Sequence, residues 1–306
     1  MKRKVIKQAN QAHTITLPID WVRKHNIDKD SEVDLIEDGK SLIINSDNKI
    51  AGERVTVDVG GLDDRNIARH INALYARGVD EIEVVCKEEG LSSKITGWLN
   101  QNIGYALVEN KDGRYLIKDL GGQGDQDLDE IFKRVFQIIL LFYESAKKDI
   151  FVKRKATIET LLARDFEVNK FCLFLQRSIN KMSYPDVIKG RSLFTYSFAL
   201  EKIGDEIQRM WRTSIKYKIK KNPEIEKLVD LSLEGLGKSF EFYYQFNTRK
   251  SEDIYKIREK VRGDSLKLLN LDSHTARFVR HVTKIVEEAA DLSHLTLMMN
   301  LKNKDD

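Results

Sequence analysis

Glu201 and Asp205 stand four residues apart, and so do Glu287 and Asp291. On a helix that spacing sets two carboxylates side by side, where they repel by a few tenths of a kcal/mol unless a cation or a basic group lies between them. A shared cation would turn the repulsion into cohesion. The plainer alternative is a solvated acidic face neutralised by Lys202, Arg209 or Lys170, in exposed ion pairs worth at most about 1 kcal/mol. A second charged group opens the chain. Lys2, Arg3, Lys4, Lys7, Arg23 and Lys24 face Asp20 alone among the first 24 residues, a local charge of +5 that a two-fold dimer would double. Lysine and arginine contacts to phosphates supply most non-specific DNA affinity. The competing explanation is a basic edge that keeps exposed strands from aggregating.

Other chemistry is not expected. His274, His281 and His294 are seven and thirteen residues apart, which does not make the i, i+4 pair of a zinc helix. Cys86 and Cys172 are far apart and read as reduced core residues. Nucleophile elbow, phosphate loop and dinucleotide glycine fingerprint are all missing; Gly60-Gly61 lacks a third glycine and a following Lys-Ser/Thr. An enzyme is therefore not expected.

The elements that must carry these groups fall into three stretches. Residues 1–50 read as short strands, Lys4–Ala9 and His13–Leu17 about the turn Asn10-Gln11-Ala12, then Glu32–Glu37 and Ser41–Ile44 about Asp38-Gly39. Pro18 suits the first turn of a short helix, Ile19–His25. The apolar set is small: Ile6, Ile15, Leu17, Trp21, Val22, Ile27, Val33, Leu35 and Ile43. So small a unit needs a second subunit to complete its core, with Ile15, Leu17, Trp21, Val33 and Leu35 at the dimer centre. Residues 51–124 alternate between strand and helix periods in the order β-α-β-α-β-β and end in the glycine linker 121–124. Residues 125–306 show only helical periodicity: six helices near 128–153, 156–181, 190–217, 223–248, 251–269 and 272–301, with Pro185 and Pro223 between periodic segments. Lys202–Ile207 and Lys284–Ala289 lie 82 residues apart at matching places, which points to two three-helix units, about 128–217 and 223–301.

The chain has 306 residues, more than one core usually serves. Its net charge is +4, from 52 basic and 48 acidic side chains, so any nucleic-acid surface must be local. The start lacks the apolar stretch of a signal peptide, and the longest apolar run, Ile138–Tyr143, is far short of a membrane span. A cytoplasmic location is expected.

Two families are then resembled. Leu200-Glu201-Lys202-Ile203-Gly204-Asp205 resembles the L-E-R-I-G-D signature of PhoU proteins, regulators of phosphate uptake built from two three-helix repeats. Arg164–Lys170 is similar to their R-D-x-E-V-D-R stretch, and Lys284–Asp291 to their R-I-A-D-Y-A-A-D pattern. Upstream, Lys4–Lys7 and Thr14–Val22 are similar to swapped-hairpin DNA-binding domains of the AbrB/MazE/SpoVT type. In archaea that domain is often fused to a PhoU-like region through a small α/β segment, the order found here. The resemblance implies a multidomain α+β chain: a swapped-hairpin β domain, a small α/β domain and tandem all-α bundles. It implies double-stranded DNA and a second copy as partners, and an oxygen-only site for Mg²⁺, Mn²⁺ or Fe at Asp165, Asn169, Glu201, Asp205, Glu287 and Asp291. Asn169 and Thr283 stand where the family has acids. The function implied is a transcriptional regulator tied to phosphate uptake or signalling. The alternative is an adaptor that contacts a phosphate transporter or signalling protein, its N-terminal domain serving only to dimerise. An antitoxin role is disfavoured, since nothing resembles a short toxin-blocking tail.

Overall fold

The computed structural model describes residues 2–8, 12–38, 41–46, 52–88, 90–121, 127–153, 155–181 and 187–301. Asn10, Gln11, Gly39, most of the glycine linker and Pro185 lie outside them. The chain divides into two compact units, residues 1–53 and 54–306.

In the first unit β1 (Ile6–Lys7) and β2 (His13–Thr14) pair antiparallel, Ile6 opposite Thr14. Both are shorter than the sequence spacing indicates, because this two-stranded ribbon has no third strand among the described residues and such ribbons are marginal alone. Pro18, extended at ψ 127°, opens α1 (Ile19–Lys24), whose last turn carries Arg23 and Lys24. β3 (Val33–Asp38) and β4 (Ser41–Ser46) form the second hairpin, Leu35 opposite Ile44. His25 ties α1 to β4 through a 2.9 Å bond to the Ser46 hydroxyl. No described side chain of this unit is buried.

The second unit begins with a four-stranded sheet of order β5-β6-β8-β7: β5 (Arg54–Asp58), β6 (Glu81–Val85), β7 (Tyr105–Lys111) and β8 (Arg114–Asp119). β5 and β6 run parallel through α2 (Asp64–Arg77); α3 (Leu91–Leu99) and a hairpin complete the expected order. Strand alternation buries Ile82, Val84 and Ile117 with Ile67, Ile71, Tyr75 and Ile95 of the helices. The other face is charged, where Lys118 meets Glu81 at 2.7 Å and Arg54 meets Glu83 at 3.4 Å. Asp63 caps α2 by accepting from the Asn66 amide, and Gly78 ends it at φ +101°. A Cβ at Gly78 would come within 2.9 Å of the Lys181 side chain, so this position needs glycine both for its dihedral and for close packing.

Six helices follow: α4 (Leu128–Phe151), α5 (Ile158–Lys181), α6 (Val187–Tyr217), α7 (Pro223–Tyr244), α8 (Thr248–Leu268) and α9 (Ser273–Asn300). Asp127, Asn222, Asn247 and Asp272 cap four of them through their side chains. α4–α6 and α7–α9 form two triplets joined along α6 and α9. Tyr196 of α6 bonds Thr296 of α9 at 2.8 Å inside that seam. One apolar cluster, from Phe132 and Phe136 to Ile285 and Val286, spans both triplets.

α5 also holds the sheet. Arg177, 3% exposed, donates from Nη1 to the carbonyls of Tyr75 and Val79 at 3.0 and 2.8 Å, and from Nη2 to Asp119 at 2.6 Å. Its guanidinium lies 4.9 and 4.8 Å from the Tyr75 and Tyr105 ring centres. Lys181 adds bonds to Asp80 and Asp119 at 2.6 and 3.2 Å. Burial alone would raise the Asp119 carboxyl, but its bond to Arg177 and that cation's charge hold it below its ordinary range.

Candidate functional sites: a basic end and an acidic groove

Lys2, Arg3 and Lys4 precede β1, Lys7 lies on it, and Arg23 and Lys24 close α1; all six are exposed. None of them forms an ion pair with a described acid, so their charge is available to an outside anion. Around them, large apolar side chains stand in solvent: Val5, Ile6, Ile15, Ile19, Leu42 and, at 61% exposure, Leu35. Of the expected dimer centre, Leu17, Trp21 and Val33 are half-buried, while Ile15 and Leu35 are exposed.

The acidic group forms where α5 and α6 lie against each other. Gly204 makes that approach possible, for a Cβ there would meet Val168 Cγ1 at 2.8 Å. Tyr196, Leu200, Ile203, Ile207 and Met210 take the core side of α6 as their spacing indicates. Glu201 and Asp205 are half-buried rather than outward, because α5 covers their flank. Asp165 of α5 is 9% exposed. One of its oxygens, Oδ2, accepts from Gln208 Nε2 at 3.1 Å and from Asn169 Nδ2 at 3.4 Å. Its other oxygen, Oδ1, and Asn169 Oδ1 are buried without a hydrogen-bond partner among the described residues. Burial first, and the nearby Asp205 charge second, push the Asp165 carboxyl up to about 6. Glu201 is raised for the same reasons, burial first, then Asp205 and Asp165. Asp205 is held by Arg209 at 2.5 Å, and Arg209 also binds Glu206 at 2.6 Å.

The second expected pair is spent differently. Glu287 faces Arg262 Nε at 3.5 Å, Asp291 is exposed, and Thr283 bonds back to the Val279 carbonyl at 3.0 Å. Neither acid has a buried oxygen lacking a partner. Of the histidines, His281 bonds Glu206 at 2.6 Å, His274 stacks on Tyr217 with ring centres 3.8 Å apart, and His294 is exposed. Cys86 and Cys172 are buried and unpaired.

Among the described residues no three His, Cys, Asp or Glu side chains are gathered closely enough to hold a metal ion. The donor chemistry between α5 and α6 nonetheless suits a hard cation: carboxylates, an amide oxygen, and two buried oxygens left unpaired. The α9 pair offers no such orphan.

Several residues that matter here escape a sequence pass. Gln208, at i+7 from Glu201, continues the polar stripe that meets Asp165, and that spacing was the available signal. Asp149 is buried, accepting from Trp211 Nε1 at 2.7 Å and from the amides of Lys155 and Ala156 at 2.7 and 2.8 Å. No local pattern marks it, or Arg177.

Residues 8–50 match the family model described as antidote-toxin recognition MazE, bacterial antitoxin. Among solved structures, the chain is similar to the crystal structure of the phosphate transport system regulatory protein PhoU from Streptococcus pneumoniae. The identity is 14%, the TM-score 0.48, and the match covers 56% of this chain and 93% of that one. No match is found among curated proteins. No helix among the described residues is long and apolar enough to cross a membrane.

Proposed function

We propose that this chain is a DNA-binding regulator that dimerises through residues 1–53 and is tied to phosphate uptake or signalling through its helical part. The supporting observation is the first unit itself. It matches a MazE model, exposes six unpaired cations, and has no buried side chain among its described residues. A second copy would cover Ile15, Leu35 and Leu42 and bring two basic ends together. The link to phosphate rests on the PhoU-like motifs of α5, α6 and α9. In the helical part Asp165, Asn169, Glu201 and Asp205 would hold a hard cation, Mg²⁺, Mn²⁺ or Fe, which would give Asp165 a counter-charge and its Oδ1 a partner. Asp205 would exchange an Arg209 pair worth at most about 1 kcal/mol for it. With a neutral amide at Asn169, affinity is lower than an all-acid site would give.

The test is duplex binding by fluorescence anisotropy over a salt series. The wild type should bind with a steep salt slope, and replacing Lys4, Lys7 and Arg23 together should weaken every duplex and flatten the slope by about 0.9 per lost phosphate contact. Equal binding by the triple variant at low and moderate salt would remove the basic end as the DNA surface.

A further inference from the structure

A pocket of about 560 Å³ opens between α2, the connection from α3 to β7, α5 and α6. Its size lies in the range that buries most of a small organic ligand. Its walls combine three kinds of group.

The first is an aromatic surface. Phe194 and Phe198 line the pocket one helical turn apart, in an edge-to-face pair with ring centres 5.3 Å apart. Phe198 is 44% exposed, although the apolar core of the same helix is closed to solvent. An aromatic ring left open beside a cavity is suited to stacking against a flat ring. The second is a set of polar atoms that the chain itself leaves unpaired. Gln176, 2% exposed, lines the pocket, and its Nε2 has no hydrogen-bond partner among the described residues; the same holds for Asn169 Oδ1. A buried amide left unpaired is unfavourable, and an incoming donor or acceptor would relieve it. Glu201 adds a carboxylate to the same wall, an acceptor for the N–H groups of a ring edge. The third is positive charge. Arg69 and Arg77 line the α2 wall two turns apart, about 12 Å along the axis, so a guanidinium stands toward each end. Arginine forks are suited to phosphate.

We propose that this pocket binds a nucleotide, its base stacked on the phenylalanines with its polar edge on the unpaired amides and Glu201, and its phosphate met by an arginine of α2. Such a ligand would touch the sheet domain and the helical domain at once, and would share Asn169 and Glu201 with the acidic groove. Occupancy would thus be felt on α6, the helix that joins the two triplets.

The experiment is calorimetric titration of the full chain with adenosine and guanosine mono- and diphosphates, the free nucleosides and inorganic phosphate. At least one nucleotide should bind, at least about ten-fold more tightly than its nucleoside or inorganic phosphate. Phe198→Ala, and separately the double change Arg69→Ala with Arg77→Ala, should each weaken it by about ten-fold or more. All three positions are exposed, so melting curves should show that both variants fold. The proposal is overturned if no nucleotide binds at millimolar concentration, if inorganic phosphate binds as tightly as the nucleotide, or if both variants bind like the wild type.

Discussion

The two units use apolar residues in opposite ways. In residues 54–306 the large side chains are closed off from water: Phe132, Phe136, Tyr143, Tyr196 and Phe278 are fully buried. In residues 1–53 no described side chain is buried, and Ile15, Ile19, Leu35 and Leu42 stand in solvent. Both stretches carry regular apolar spacing. What separates them is the number of elements available to cover each face. Six helices and a sheet close on themselves, whereas the two hairpins and one short helix leave their described apolar faces uncovered. The second unit therefore closes its core within one chain, whereas in the proposed dimer the stability of the first would depend on chain concentration.

The largest effect that sharpens this contrast is expected at Trp21. In a completed dimer core Trp21→Ala costs about 3–5 kcal/mol, so the variant should sediment as a monomer while the melting of the second unit is unchanged. If the variant remains dimeric, the first unit is completed in some other way. The counterpart in the second unit is Arg177→Ala. It leaves Asp119 with only Lys181 and the Gly121 amide and takes a charged donor from the Tyr75 and Val79 carbonyls, for about 3 kcal/mol, and should lower only the transition of residues 54–306.

Asp165→Asn should have a smaller, pH-dependent effect. The folded chain raises this carboxyl from 3.8 to about 6, so the stability it contributes as a neutral acid is present below 3.8 and is lost as pH rises through about 6. Metal-free wild type should lose on the order of 2–3 kcal/mol across that window, followed by thermal melting in chelator. The variant should show a shallower profile there, since Glu201 still titrates, and take up no Mg²⁺, Mn²⁺ or Fe by elemental analysis. Added cation should restore wild-type stability near neutral pH and leave the variant unmoved. A wild-type profile that is flat without metal would mean that Asp165 is less buried than its surroundings imply.

Much of the fold was legible in the chain. Helices of 21 residues and more display several turns of the 3.6-residue period, and prolines and capping side chains mark their ends, so all six were placed to within a few residues. The β-α-β-α-β-β order was legible for the same reason, each strand being bounded by a glycine turn or a cap. The first two strands are shorter than their alternation suggests, because sequence alternation does not show that the ribbon has no third strand among the described residues. At the acidic groove the helical spacing sets Tyr196, Ala199, Leu200, Ile203, Ile207 and Met210 on a core stripe and Glu201 and Asp205 opposite it, outward; a wheel contains only its own helix, and α5 supplies the cover. Asp149 and Arg177 make bonds to residues 62 and 102 positions away, and the pocket beside Phe198 draws on α2, α5 and α6, which no local pattern encodes.

The central claim, that the first unit is half of a structure, is tested most directly by sedimentation equilibrium of residues 1–53 alone, with circular dichroism on the same samples. The fragment should be a folded dimer whose melting temperature rises with concentration, unfolding as it is diluted to monomer. A folded monomer whose melting temperature is independent of concentration would contradict it.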